Sequence, residues 1–192
     1  MIGNDIVDLS LSYKSRRTLS DRFLNKLFTK AEQELIRNSS IPEDTLWLLW
    51  SMKESAYKVY VQQGNQPSFA PTKFRGTISG NDQSYVTADQ SVYYTSTTIT
   101  GNYVHSIAGL EPKTSYSVEF LKLTKSNYQE QHQACLNKLK AIYAGYTEIP
   151  TEQMVVRKNT FGVPQLYINN LKADFSFSIS HHGRYAAVVI RN

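Results

Sequence analysis

Apolar positions recur along this chain in two rhythms, a helical one of about 3.6 residues and a strand-like one of two, and their order predicts elements in two successive groups. Ile2 to Val7 reads as a short apolar strand that carries a carboxylate, Asp5, in its middle, and Ser10 to Ser15 as a polar loop. Leu19 to Phe28 has helical spacing. Thr29-Lys30-Ala31-Glu32 has the capping-box form, in which the Thr and Glu side chains reciprocally satisfy free amides of a new helix, so a second short helix is expected over Lys30 to Arg37. Pro42-Glu43-Asp44 opens the longest helix, roughly Asp44 to Gln63, with Gly64 as a left-handed cap.

From Phe74 the pattern turns β-rich. Phe74–Ile78, Val92–Ile99 and Tyr103–Ala108 are separated by Gly80-Asn81-Asp82 and Thr100-Gly101-Asn102 turn signals, which predicts an antiparallel meander. After Glu111-Pro112, Tyr116–Leu123 reads as a strand, Asn127–Tyr143 as an amphipathic helix, and strands follow near Met154–Arg157 and Gln165–Ile168. The chain closes with a hairpin: Phe175, Phe177 and Ile179 alternate with Ser176, Ser178 and Ser180, His181-His182-Gly183-Arg184 makes the turn, and Tyr185–Ile190 returns. The pattern is α+β in two similar lobes, 1–110 and 111–192, each with helix and antiparallel strands.

Composition narrows the classes. With 192 residues, 41% of them hydrophobic, the chain can bury a real core. No run of about 18 apolar residues could span a bilayer, and the opening Met-Ile-Gly-Asn-Asp has no basic flank before an apolar region, so a cytoplasmic protein without membrane association is expected. Cys135, the one cysteine, sits in the second long helix among apolar neighbours and reads as a plain buried thiol. The net charge of +5 favours an anionic partner. The bases are scattered and form no dense run, zinc finger or RNP-like pattern, which argues against nucleic acid.

Chemistry concentrates in three places. Trp47, Ser51, Glu54 and Lys58 share one stripe of the long helix. An isolated Glu-x-x-x-Lys is ordinarily an exposed ion pair, but here aromatic and aliphatic residues surround it on nearly every side, and buried charges need a metal, a ligand or each other. Asp5 poses the same problem in its strand. Asp5 and Glu54 together suit Mg²⁺, which binds through one or two carboxylates plus water and substrate phosphate oxygens. In the last hairpin Ser180, His181, His182 and Arg184 offer donors that could grip a phosphate.

These segments, Gly3-Asn4-Asp5-Ile6-Val7-Asp8-Leu9, Trp50-Ser51-Met52-Lys53-Glu54-Ser55-Ala56-Tyr57-Lys58 and Ser178-Ile179-Ser180-His181-His182-Gly183-Arg184-Tyr185, resemble the three signatures of the 4'-phosphopantetheinyl transferase superfamily. The signatures are G-x-D-I/V, W-S/T-x-K-E-S/A-x-x-K and I/F-S-H-S/T. Phe161-Gly162-Val163-Pro164 is similar to the G-K-P segment upstream of the Ser-His hairpin. The resemblance implies transfer of phosphopantetheine from coenzyme A to a serine of an acyl- or peptidyl-carrier protein, with release of 3',5'-ADP. It implies Asp5 and Glu54 as Mg²⁺ ligands, Glu54 or a metal-bound water as proton acceptor with Lys58 nearby, and His181, Arg184 and Ser180 at the coenzyme A phosphates. Arg16, Arg17, Arg22 and Lys26 are candidates for docking an acidic carrier.

Two positions depart from the family pattern. The second acidic residue of surfactin-type enzymes is Val7 here, as in the acyl-carrier-protein-synthase type, which leaves Asp8 as a possible substitute; Val163 replaces the Lys of G-K-P, leaving Arg157 or Lys158 as phosphate contacts. Motif order is that of the small synthases, yet about 125 residues separate Glu54 from His181. That spacing is enough for a second lobe and implies a monomeric pseudodimer resembling a circularly permuted surfactin-type enzyme. The competing expectations are a catalytically silent carrier or coenzyme A binding module of the same fold, and a basic RNA-binding domain that accounts for the 13 tyrosines but gives Asp5 and Glu54 no task.

Overall fold

In a computed structural model, which describes residues 1–13, 18–79, 84–124 and 127–192, the first group of elements is β1 (Gly3–Asp8), α1 (Leu9–Ser12), α2 (Asp21–Leu27), α3 (Lys30–Asn38), α4 (Pro42–Gln62), β2 (Arg75–Thr77), β3 (Ser84–Ala88), β4 (Ser91–Ile99) and β5 (Tyr103–Gly109). The second is β6 (Tyr116–Lys122), α5 (Tyr128–Thr147), β7 (Met154–Lys158), β8 (Pro164–Ile168), β9 (Leu171–Lys172), β10 (Phe177–His182) and β11 (Tyr185–Arg191). The fold is α+β. Its antiparallel strands form three sheets, ordered β1-β5-β4-β3-β2, β10-β11-β6 and β7-β8-β9.

The local signals act as expected where a backbone amide needs a side chain. Thr29 and Glu32 form the capping box of α3, Pro42 occupies the first turn of α4, and Asn127 caps α5 by accepting from the Glu130 amide at 2.9 Å. Three expectations fail for physical reasons. The polar stretch after β1 begins with a helical turn, because the Asp8 side chain accepts from the Ser10 amide at 3.0 Å. Strand β3, Ser-Tyr-Val-Thr-Ala, carries too little apolar alternation to stand out, yet Val86 and Ala88 are buried beneath α4. The last turn is Gly183-Arg184 alone, so His181 and His182 lie within strand β10.

α4 lies across the five-stranded sheet. Met52, Ala56 and Val59 meet Val86, Tyr93 and Ala108, all essentially inaccessible to water, and each large side chain so buried contributes about 1.5–3 kcal/mol. Gly3 makes this approach possible, since a Cβ there would run into the Ser55 carbonyl of α4. α5 covers the second group through Cys135 and Leu139 against Phe177, Ala186 and Val188. The sheets meet where Ile2 and Ile107 pack on Val189, and Ile6 on Tyr185 and Ala187.

Among the described residues one ion pair is internal on both sides. Lys53 and Glu32, each 2% exposed, pair at 2.9 Å. Lys53 also donates to the Leu27 carbonyl at 2.7 Å, and the other Glu32 oxygen accepts from the Gly76 amide at 2.8 Å. The capping-box glutamate thus ties α3, α4 and β2 together, and every polar atom of the pair has a partner, as a buried pair requires.

Candidate active site

Strand β1 divides its side chains between two neighbours. Gly3, Asp5 and Val7 share one face, where Gly3 presses on α4 and the Ser51 hydroxyl of α4 donates to the Asp5 carbonyl at 3.0 Å. Asn4, Ile6 and Asp8 share the other and meet β10 and β11. The alternation that separates Asn4 from Asp5 therefore puts a carboxylate beside α4 and an amide beside the Ser-His strand.

Asp5 and Glu54 are brought together in one electrostatic environment. Burial pushes the Asp5 pKa up to about 6, against the pull of the Lys58 charge and of hydrogen bonds from the Ile6 amide and the Ser51 hydroxyl. Burial likewise raises Glu54 to about 7, and the Asp5 charge adds to the rise against the pull of Lys58 and Lys53. Lys58 approaches Asp5 Oδ1 at 3.7 Å. Its ammonium also donates to the Asn4 carbonyl and, at 3.4 Å, to that of Ile179. It therefore fastens β1 to β10 as well as facing the carboxylate. Two half-buried carboxylates repel each other here despite the Lys58 and Lys53 charges, an arrangement that a divalent cation would relieve.

Asp5 and Lys58 open onto a cleft of about 390 Å³ walled by α4 and β10, by Tyr128 and His132 of α5, and by the 158–164 segment. Glu54 opens onto a smaller hollow of about 290 Å³ between α4 and the 68–74 segment, and Tyr57 borders both. His181 lines the cleft. Its Nδ1–H donates to Gln131 Oε1 at 2.9 Å, and Gln131 Nε2 donates to the Gly183 carbonyl at 2.6 Å. Nε2 of His181 is thereby left for a ligand. Burial, then the charges of His132, Lys58 and His182, lower the His181 pKa to about 4. The ring is therefore neutral near pH 7 until an anion supplies the compensating charge.

Ser180 also borders the cleft, but its hydroxyl points inward to Asn4 Oδ1. Arg184 is placed elsewhere: Nε and Nη2 grip Asp8 at 3.0 and 3.1 Å, its amide adds a bond at 2.9 Å, and Nη2 reaches Ser10 Oγ at 2.6 Å. The expected phosphate contact thus becomes an ion pair that locks the hairpin to β1, with Gly183 (φ +59°) pressed so closely on Asp8 that a side chain would clash. The same contacts take both oxygens of the fully buried Asp8 carboxylate, so it is not available as a metal ligand. Burial works against that charge, yet the Arg184 and Ser10 bonds hold its carboxyl far below the usual range.

Lys158 reaches the cleft beside Val163. Arg157 does not; it bonds Asn170 at 2.8 Å and lies over Tyr167. Arg22 and Lys26 sit on exposed α2, with Lys26 over the Phe69 ring, while Arg16 and Arg17 lie outside the described residues. Cys135 is a buried thiol whose pKa burial raises to about 11. Sequence reasoning missed Gln131 and the ring cluster of Tyr128, His132 and His181, in which Tyr128 and His132 stack at 5.8 Å. The spacing of Tyr128 and His132, four apart at the start of α5, was the available signal.

Residues 1–108 match the family model described as the 4'-phosphopantetheinyl transferase superfamily. The chain belongs to this superfamily. Asp5, Glu54 and Lys58 lie within the superfamily match, and Ser180 and His181 beyond it. Holo-[acyl-carrier-protein] synthase of Chlamydia muridarum (strain MoPn / Nigg) is 39% identical over 57 residues, which is 30% of this chain and 46% of that protein. The chain therefore spans less than half the length of that curated superfamily relative. The crystal structure of Thermotoga maritima holo-[acyl-carrier-protein] synthase aligns over 89% of this chain and 83% of its own at 11% identity, with a TM-score of 0.44. Among the described residues, no helix is long and apolar enough to cross a membrane.

Proposed function

We propose that this protein transfers the 4'-phosphopantetheine group of coenzyme A to a serine hydroxyl of an acyl- or peptidyl-carrier protein. The observation that carries the reading is the pair of half-buried carboxylates of Asp5 and Glu54, both raised toward neutrality, with Asp5 at the wall of a cleft that also presents Lys58, Lys158 and His181. Among the described residues no cluster of three or more His, Cys, Asp or Glu could hold a metal. Two carboxylates with substrate phosphates and waters suit Mg²⁺, which tolerates few protein ligands. Bound there, the ion would neutralise the charge of a pyrophosphate.

The residues of the chain divide the remaining work. His181 Nε2 and the Lys158 amine hold coenzyme A phosphates, while Gln131 fixes the His181 ring. The carrier serine oxygen bonds to the β-phosphorus as the bond from that phosphorus to the bridging oxygen breaks, and 3',5'-ADP leaves with the electron pair. Glu54, beside Asp5, would help to hold the ion and is the acceptor proposed for the serine proton. Lys58, engaged with two carbonyls and Asp5, maintains the geometry of the carboxylate.

The lobes 1–110 and 111–192 supply Asp5 and Lys58 on one side and Ser180 and His181 on the other, and all four border one cleft of one chain. This supports a monomeric enzyme in the manner of a permuted pseudodimer. Apo-carrier proteins of fatty-acid, polyketide and peptide type, incubated with the protein, coenzyme A and Mg²⁺, should show by intact mass which gains the phosphopantetheine arm. A panel that stays unmodified while a known transferase modifies it refutes the reading.

A further inference from the structure

We propose that Asn4 is a positioning residue, whose buried amide holds strand β10, and with it the His181 ring, in register with the strand that carries Asp5. The proposal rests on the cleft being a coenzyme A site, as argued above, and concerns a residue that makes no contact with the cleft itself.

β1 is an edge strand of its sheet and β10 an edge strand of another, so no backbone ladder joins them. The open edge of β1 is closed by side chains instead. Gln62 bonds both the amide and the carbonyl of Ile2, Ser178 Oγ accepts from the Asn4 amide at 3.0 Å, and His182 Nδ1 accepts from the Asp8 amide at 2.9 Å. Asp8 ties the end of the strand to His182 and Arg184, and Asn4, inaccessible to water, ties its start to Ser178 and Ser180. Its Oδ1 accepts from the Ser180 hydroxyl and, at 3.3 Å, from His105 Nε2–H; its carbonyl accepts from Lys58.

A joint of side-chain bonds differs from a ladder in a way that matters here. Strand pairing fixes register through many equivalent bonds, whereas Ser178 and Ser180 meet Asn4 through single bonds. The Asn4 Nδ2 group is buried with no hydrogen-bond partner, a cost that an apolar residue at this position would avoid. Retaining an amide there supplies one acceptor directed at both Ser180 and His105. Ser180 immediately precedes His181, so the bond fixes the strand at the residue next to the ligand-facing ring. On the same residue, the carbonyl fixes Lys58, which faces Asp5.

The experiment compares Asn4→Ala, Ser180→Ala, the double variant, and Val189→Ala, a buried control at the same sheet interface that touches Ile2 and Ile107. Loss of the joint should raise KM for coenzyme A about tenfold in each single variant while kcat changes much less. The double variant should be no worse than either single one, because one bond is removed once. Val189→Ala should weaken resistance to urea comparably yet leave KM unchanged. In parallel, nuclear Overhauser contacts between the His181 and Tyr128 rings, 5.0 Å apart by centroid, should fade in the Asn4 and Ser180 variants and persist in Val189→Ala. This second readout needs no turnover. It tests the joint even if wild type transfers nothing, an outcome that would refute the proposed function alone. Should Asn4→Ala fail to fold, Ser180→Ala reads the same bond. Additive effects in the double variant, a KM rise of equal size in Val189→Ala, or unchanged ring contacts in the joint variants overturn the proposal.

Discussion

Glu54→Gln should end transfer and yet stabilise the metal-free protein at alkaline pH. The Glu54 carboxyl rises from its ordinary 4.5 to about 7, first through burial and then through the Asp5 charge. Its folded-state pKa lies above the unfolded one, so the folded state binds more protons between those values. Wild-type stability must therefore fall as pH climbs from 4.5 to about 7 and level off above that. A rise of about two and a half units corresponds to about 3 kcal/mol. That figure is a ceiling, because part of the penalty is the repulsion shared with Asp5. Gln fills the same volume without the charge. Urea unfolding in the presence of a chelator should then show Glu54→Gln gaining up to about 3 kcal/mol over wild type near pH 8, and nothing near pH 4, where both side chains are neutral. Saturating Mg²⁺ should restore wild type and do little for the variant. A variant no more stable than wild type near pH 8, or an unchanged pH slope, would show that Glu54 is not held under this electrostatic strain.

Three further outcomes follow from the same geometry. His181→Ala should raise KM for coenzyme A at least tenfold with a smaller change in kcat, measured by steady-state transfer, since it removes a phosphate contact rather than a metal ligand. Lys53→Met should cost about 3–5 kcal/mol in urea unfolding, because Glu32 is left charged and buried, and adding Glu32→Gln should recover most of that loss. Light scattering should give a monomer, and a mixture of inactive Asp5→Asn and weakened His181→Ala chains should regain no activity; restored turnover would mean that the site is shared between chains.

What could be read from the residues was local. The Thr29 box, the Pro42 start and the Asp5 and Glu54 carboxylates announce themselves within a few residues, because caps and charges in apolar surroundings are short-range features. The α+β pattern followed from periodicity. What escaped notice was made by distant chain segments. Ser178 and Ser180 alternate with apolar residues, and Ser180 read as a phosphate-side donor, but both are buried against Asn4, more than 170 residues away. Arg184 read as a phosphate ligand for want of knowing that Asp8 stands opposite it. Gln131 is an ordinary helix residue until the fold sets it between His181 and Gly183. Strands β3 and β9 are polar or short, and only sheet pairing shows them as strands.

The central claim, that this cleft moves the phosphopantetheine arm rather than merely holding coenzyme A, is tested most directly by counting both products of one reaction. With an accepted apo-carrier, coenzyme A and Mg²⁺, the amount of 3',5'-ADP released should equal the amount of carrier modified on its serine. Both should vanish in the Asp5→Asn protein. Coenzyme A bound without either product, or 3',5'-ADP formed while the carrier serine stays bare, would contradict the account.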